Sequence, residues 1–145
     1  MFLGQYQHSL DDKGRLTIPS AFRETLGDGA YISQGLDRNL MVMGSDYFLR
    51  IYERINSLSI TDPESRLFKR LILSSAYKVD LDKAGRILVP TNLRQFLSLT
   101  EATLVGQGDY FEVWTTSDWD LQIKNLFDTD ANSKRFAMLD LSMRK

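Results

Sequence analysis

Two arginines of this chain stand in the same setting. Asp11-Asp12-Lys13-Gly14-Arg15 and Asp82-Lys83-Ala84-Gly85-Arg86 each put a carboxylate four residues ahead of a guanidinium, with a glycine just before the arginine. Arginine presents a planar fork of N–H donors that can bind a phosphate or a guanine edge through two parallel hydrogen bonds. Glycine keeps the turn slim and accepts a positive φ. An aspartate across the tip of the same turn can hold the arginine in one rotamer, which lowers the entropy lost on binding. Asp11, Gly14, Asp82 and Gly85 therefore read as the residues that build two hairpin tips. Arg15 reads as a contact residue, and Arg86 as either a contact or half of a turn-closing ion pair. Lys13 and Lys83 add exposed positive charge, so Arg15, Lys13, Arg86 and Lys83 are the candidate binding residues. The tips differ in charge, because Lys13 directly precedes its glycine whereas Ala84 holds that place in the second copy.

These tips belong to a longer repeat. Asp11-x-x-Gly14-Arg15-Leu16-x-Ile18-Pro19-Ser20-x-Phe22-Arg23-x-x-Leu26 returns as Asp82-x-x-Gly85-Arg86-Ile87-x-Val89-Pro90-Thr91-x-Leu93-Arg94-x-x-Leu97 at a constant offset of 71 residues, and Gly35 and Gly106 keep the same register. One structural unit is used twice. In each copy a strand (5–10, 77–81) leads into the turn, and an alternating strand (15–18, 86–89) leads out of it. The two strands of each copy are expected to form a hairpin. Pro19 and Pro90 end the second strand, having no N–H for a ladder. Short helices follow, 21–26 with Ser20 as cap and 92–97. Arg23 and Arg94 sit on them and read as packing residues that pair with acids ahead of any outside contact. Strand pairs 30–33 with 40–43 and 102–105 with 110–114 come next, each trailed by a helix capped from Ser45 or Asp46 and from Ser117 or Asp118. Asp62-Pro63 opens a helix that links the copies. The repeats span 5–47 and 76–119 within one compact domain, 1–128. The tail, 129–145, is polar and then weakly amphipathic through Phe136, Leu139 and Met143. It reads equally as a loosely docked helix or as a segment without fixed structure.

Composition narrows the function. The 145 residues carry a net charge of −1, so nucleic acid could be held only by a local basic patch. Cysteine is absent, which removes thiol nucleophiles and thiolate metal sites. The single histidine, His8, has no serine motif around it, and acids scattered through caps and turns offer no metal spacing. Gly106-x-Gly108 lacks the third glycine of a phosphate loop. The expectations are no enzyme activity, no cofactor, no metal and no small-molecule substrate. No apolar run approaches the roughly 20 residues that cross a bilayer, and the first residues lack the pattern of a signal peptide, so a cytoplasmic protein is expected. Phe111, Trp114, Trp119, Tyr47, Phe48 and Tyr52 fall at strand and helix spacings that suit a core or a subunit interface better than base stacking.

The opening Met-Phe-x-Gly, both D-x-x-G-R-[LI]-x-[IV]-P segments, Leu104–Gln107 and Phe111–Trp114 together resemble the MraZ family, whose members carry two SpoVT-AbrB-type repeats in tandem. The resemblance covers nearly the whole chain. It implies an α+β fold, a pseudo-two-fold β-barrel of swapped hairpins with helices outside. It implies a repressor of its own division and cell-wall operon that binds double-stranded promoter DNA and sits on the nucleoid. It also implies a ring homo-oligomer, commonly an octamer. Repeated tips on a ring could engage repeated promoter motifs, raising avidity by about 10² to 10⁴. The alternative reading is an antitoxin-like or other protein-binding module, in which the tail folds on a partner.

Overall fold

The computed structural model describes residues 1–27 and 29–142. It is an α+β structure in which the strands of the two copies pair mainly with each other. The first copy contains β1 (Gln5–Ser9), β2 (Arg15–Thr17), α1 (Ser20–Leu26), β3 (Ala30–Gln34), β4 (Leu40–Gly44) and α2 (Ser45–Asn56). Helix α3 (Pro63–Ser74) leads to β5 (Tyr77–Val79), β6 (Arg86–Leu88), α4 (Thr91–Leu97), β7 (Glu101–Gly106), β8 (Tyr110–Thr115) and α5 (Thr116–Leu126), and α6 (Thr129–Arg135) follows. Six strands form one antiparallel sheet in the order β1-β7-β8-β4-β3-β5, while β2 and β6 form a separate two-stranded ribbon.

The expected hairpins close only at their tips. Asp11 N–H donates to the Arg15 carbonyl at 3.0 Å and Asp82 N–H to the Arg86 carbonyl at 2.8 Å, but the strands then part. β1 pairs with β7, β5 with β3, and β2 with β6. The tight turn sets only the local reversal. The ladder partner is set by where the apolar face of each strand can be buried. β2 alternates, so that Leu16 is fully buried while Arg15 and Thr17 lie on the opposite face, and β6 buries Ile87 in the same way. Leu16 and Ile87 face one another across the ribbon.

The main core lies between this ribbon, α1, α4 and the sheet. Phe22 of α1 packs on Phe2 at 5.3 Å and on Phe111 of β8 at 4.8 Å, so the first copy's helix reaches the second copy's strand. Trp114 and Trp119 form a second cluster with Ile123 and Leu126. The six aromatic residues divide: Phe111, Trp114 and Trp119 are buried, Tyr47 and Phe48 stack on Tyr110 and Tyr31, and Tyr52 is exposed. No described helix is long and apolar enough to cross a membrane.

Several caps differ from expectation. Ser20 is the first residue of α1, and the cap position belongs to Pro19, which has no donor or side-chain acceptor to offer. Gly44 precedes α2, leaving Ser45 and Asp46 inside its first turn. Thr115, rather than Ser117 or Asp118, caps α5 by accepting from Asp118 N–H. Helix α3 opens at Asp62-Pro63 as expected, with Pro63 in its first turn and Asp62 as its cap. In the tail, Asp128 caps α6, whose Asn132 donates to the Leu126 carbonyl. Phe136 and Leu139 are exposed beyond it, and Met143 lies outside the described residues.

β1 and β2 have no ladder partner within their own copy. A fragment covering residues 1–71 is expected to be either unfolded or dimeric, as read by circular dichroism with light scattering. A cooperatively folded monomeric fragment would contradict this account.

Candidate nucleic-acid interface

Each tip is built around its aspartate. Asp11 Oδ1 accepts the backbone N–H of Lys13 at 3.0 Å and of Arg15 at 2.8 Å, while Oδ2 accepts from Arg15 Nε at 2.6 Å. Asp82 does the same for the N–H groups of Ala84 and Arg86, and for Arg86 Nε at 2.9 Å. Gly14 and Gly85 N–H donate back to the carbonyls of Asp11 and Asp82 at 3.0 Å. The glycines have φ of 83° and 76°, the left-handed region that other residues enter at a cost. Chain reversal and arginine placement thus depend on the same carboxylate.

The two tips also meet. Asp11 Oδ2 lies 3.6 Å from Arg86 Nη1 as well as 2.6 Å from Arg15 Nε. Ile18 N–H donates to the Gly85 carbonyl at 2.9 Å, and Val89 N–H to the Gly14 carbonyl at 3.0 Å. The arginines occupy the outer face of the ribbon, with Arg15 opposite Leu88 and Arg86 opposite Thr17. Their side chains remain about 31% and 30% exposed, enough to meet a ligand. Among the described residues, the Nη atoms of Arg15 have no partner, since Asp11 holds only its Nε. Lys13 and Lys83 are exposed beside the turns. The structure therefore brings the four candidate cations and the four turn residues to one end of the fold.

Arg23 and Arg94 join this site in a way that the sequence did not disclose. Neither pairs with an acid among the described residues. Arg23 Nη1 donates to the Ile18 carbonyl at 2.7 Å, and Arg94 Nε to the Val89 carbonyl at 2.9 Å. Each guanidinium then lies against the glycine of the opposite copy. A β-carbon on Gly85 would sit 2.6 Å from Arg23 Nη1, and one on Gly14 would collide with the Arg94 guanidinium. The available signal was the recurrence of an arginine four residues after each proline, together with a glycine in each turn. The crossing itself has no local signature.

The backbone N–H of Arg15 is the main cause holding the Asp11 carboxyl below its ordinary value. Loss of hydration, the next largest influence, opposes it, and the Arg15 guanidinium and Lys13 N–H add to the lowering. Asp82 is lowered likewise, first by the N–H of Arg86. Away from the tips, His8 lies on β1, and no group of three described His, Asp or Glu residues converges as a metal site.

Fold and site define a tandem-repeat α+β protein that presents two aspartate-braced arginines on a shared ribbon. The family described as "MraZ protein, putative antitoxin-like" matches residues 1–71 and again 72–140. Among curated proteins, a "Transcriptional regulator MraZ" of Herpetosiphon aurantiacus is 39% identical over 129 residues, covering 88% of this chain and 90% of that protein. One of Roseiflexus castenholzii is 40% identical over 94% of both chains, and one of Thermomicrobium roseum 41% over 87% of this chain and 89% of its own. The chain belongs to the MraZ family.

Two outcomes follow from the geometry. Gly14→Ala and Gly108→Ala both force alanine into left-handed backbone, at about 1–3 kcal/mol, but only Gly14 has a guanidinium where the methyl would go. Gly14→Ala should therefore cost about 1 kcal/mol more, the worth of the displaced hydrogen bond, by urea unfolding. The second concerns acid. A carboxyl depressed on folding contributes stability that is complete above its unfolded value, about 3.9, and lost as pH falls through the lower folded value. Replacing Asp11 and Asp82 with Asn should flatten the fall in melting temperature below about pH 4, and unchanged acid limbs would contradict these braces.

Proposed function

We propose that this chain is a sequence-specific DNA-binding transcriptional regulator, and that the β2–β6 ribbon is its reading surface. One observation carries the proposal: Arg15 and Arg86 are each anchored through Nε on the outer face of the ribbon, which leaves both Nη atoms of Arg15 and Nη2 of Arg86 without an acid partner among the described residues. A two-stranded ribbon fits the major groove, and an arginine fork there matches the O6 and N7 atoms of guanine. A good bidentate pair discriminates by about 1–3 kcal/mol. Lys13 and Lys83, exposed beside the turns, supply phosphate contacts that set register. The names of the relatives as transcriptional regulators agree with this use of the site.

The finer reading follows the family resemblance. The repeats at 5–47 and 76–119 make a pseudo-two-fold swapped-hairpin barrel within a compact domain, 1–128, and the tail 129–145 stands outside it. Copies assemble into a ring, commonly an octamer, that acts on the nucleoid in the cytoplasm as a repressor of its own division and cell-wall operon. A net charge of −1 gives one chain little long-range attraction for DNA. A ring engaging several repeated motifs answers this through effective concentration.

A second reading is a protein-binding, antitoxin-like module. It draws on the family's description and on the tail, where Met138, Leu139 and Leu141 are exposed. Titrating the operon's own upstream DNA with wild type and Arg15→Ala, over a salt series with light scattering, separates the two. Wild type should bind with a steep salt dependence. Arg15→Ala should keep its oligomeric state and lose about 10-fold or more of its preference over scrambled DNA. Equal binding by both proteins would remove Arg15 from the interface, and no binding by either would favour the protein-binding reading.

A further inference from the structure

Arg23 and Arg94 lie beside the reading surface, but each commits part of its guanidinium to the protein itself. Arg23 spends Nη1 on the Ile18 carbonyl. Arg94 spends Nε on the Val89 carbonyl and Nη2 on Thr91 Oγ1, 3.0 Å away. Ile18 and Val89 are the residues whose N–H groups donate to the opposite copy's glycine carbonyl. Each arginine thus grips a peptide on its own copy and lies against the turn of the other, at the glycine immediately before the reading arginine.

We propose that Arg23 and Arg94 are positioning residues that act across the repeat: Arg94 holds the Gly14–Arg15 turn and Arg23 holds the Gly85–Arg86 turn, so the two reading arginines are presented as one rigid unit. This rests on the reading of the ribbon as the DNA surface. The shared carboxylate of Asp11, between Arg15 and Arg86, ties the outer side of the same unit. A lysine at either position would keep the charge and could still donate to a carbonyl, but it has no guanidinium to lay against the opposite glycine at the same time.

The inference separates from direct DNA contact by salt dependence. An arginine that neutralises a phosphate contributes about 0.9 to the slope of log affinity against log salt. A positioning residue contributes affinity without slope. Arg94→Lys and Arg23→Lys should each weaken operator binding about tenfold, the cost of ordering a side chain that is no longer held, and Arg94→Gln, which removes the charge, should weaken it with the slope unchanged. Hydrogen exchange of the free protein should show the crossing: Arg94→Lys speeds exchange at residues 13–15, and Arg23→Lys at residues 84–86. Thr91→Val, which removes only the acceptor of Arg94 Nη2, should produce the same pattern more weakly and guards against a variant that fails to fold. Exchange changes confined to the substituted copy would overturn the inference, as would wild-type affinity in both lysine variants. A slope reduced by about 0.9 in Arg94→Gln would make that arginine a phosphate contact instead. If wild type itself binds no operator DNA, the functional reading falls and this inference with it. If wild type binds and only the variants behave otherwise, the inference alone falls.

Discussion

The reciprocal seam between the two turns is the constraint on which the rest depends. Ile18 N–H meets the Gly85 carbonyl, Val89 N–H meets the Gly14 carbonyl, and Leu16 and Ile87 close the ribbon beneath them. These are main-chain bonds between segments about 70 residues apart in sequence. Buried peptide groups must find partners, and at this seam each copy supplies the other's. Glycine is needed twice over, for its left-handed backbone and for the guanidinium laid against it. A side chain at either position would disturb both turns, because the arginine it displaces also holds a carbonyl beside the seam.

The seam is close to symmetric, but the electrostatics on it are not. Asp11 serves Arg15 and lies within ion-pair distance of Arg86, whereas Asp82 pairs with Arg86 alone among the described residues. Arg86 is therefore held between two carboxylates, and Arg15 by one. The arginine with fewer acid partners keeps more of its fork for an outside acceptor. The charge around the tips runs the other way, since the first carries Asp12 and Lys13 where the second carries Lys83 and Ala84. The first tip thus has the more open guanidinium fork, and the second the more positive surroundings.

The 71-residue repeat made much of this legible. Strand, turn and short-helix positions could be read from Asp, Gly and Pro at fixed spacing, since each of those residues acts on its own few neighbours. Asp11 and Asp82 could be assigned to the turns for the same reason. The partners of the strands could not, because β1 and β2 look like an ordinary hairpin until their buried faces are placed against the other copy. The role of Arg23 and Arg94 was hidden likewise, because they pair with carbonyls, which carry no residue identity, and with glycines far away in the chain. The cap of α1 shows a smaller version of the same limit. Ser20 is an excellent cap type, yet Pro19 fixes the backbone so that the helix begins on Ser20 itself.

Joining the copies through α3 has a further consequence. A dimer of identical halves could build the same seam, but its integrity would depend on concentration. In one chain the second half is always present at high effective concentration. The halves are also released from being identical. In a symmetric dimer any change at a tip appears twice, so Lys13 could not stand opposite Ala84, nor Asp11 reach across to Arg86 without a matching contact in return. A single chain can keep the shared frame, with its two glycines and two bracing arginines, while the outward residues diverge. The frame demands near-identity at Gly14 and Gly85 and at Arg23 and Arg94, because each of these touches the other copy. It demands much less of Lys13 and Ala84, whose backbone N–H groups do the structural work. Differences between the copies are therefore free to collect on the outward face of the tips, where unequal side chains share one support.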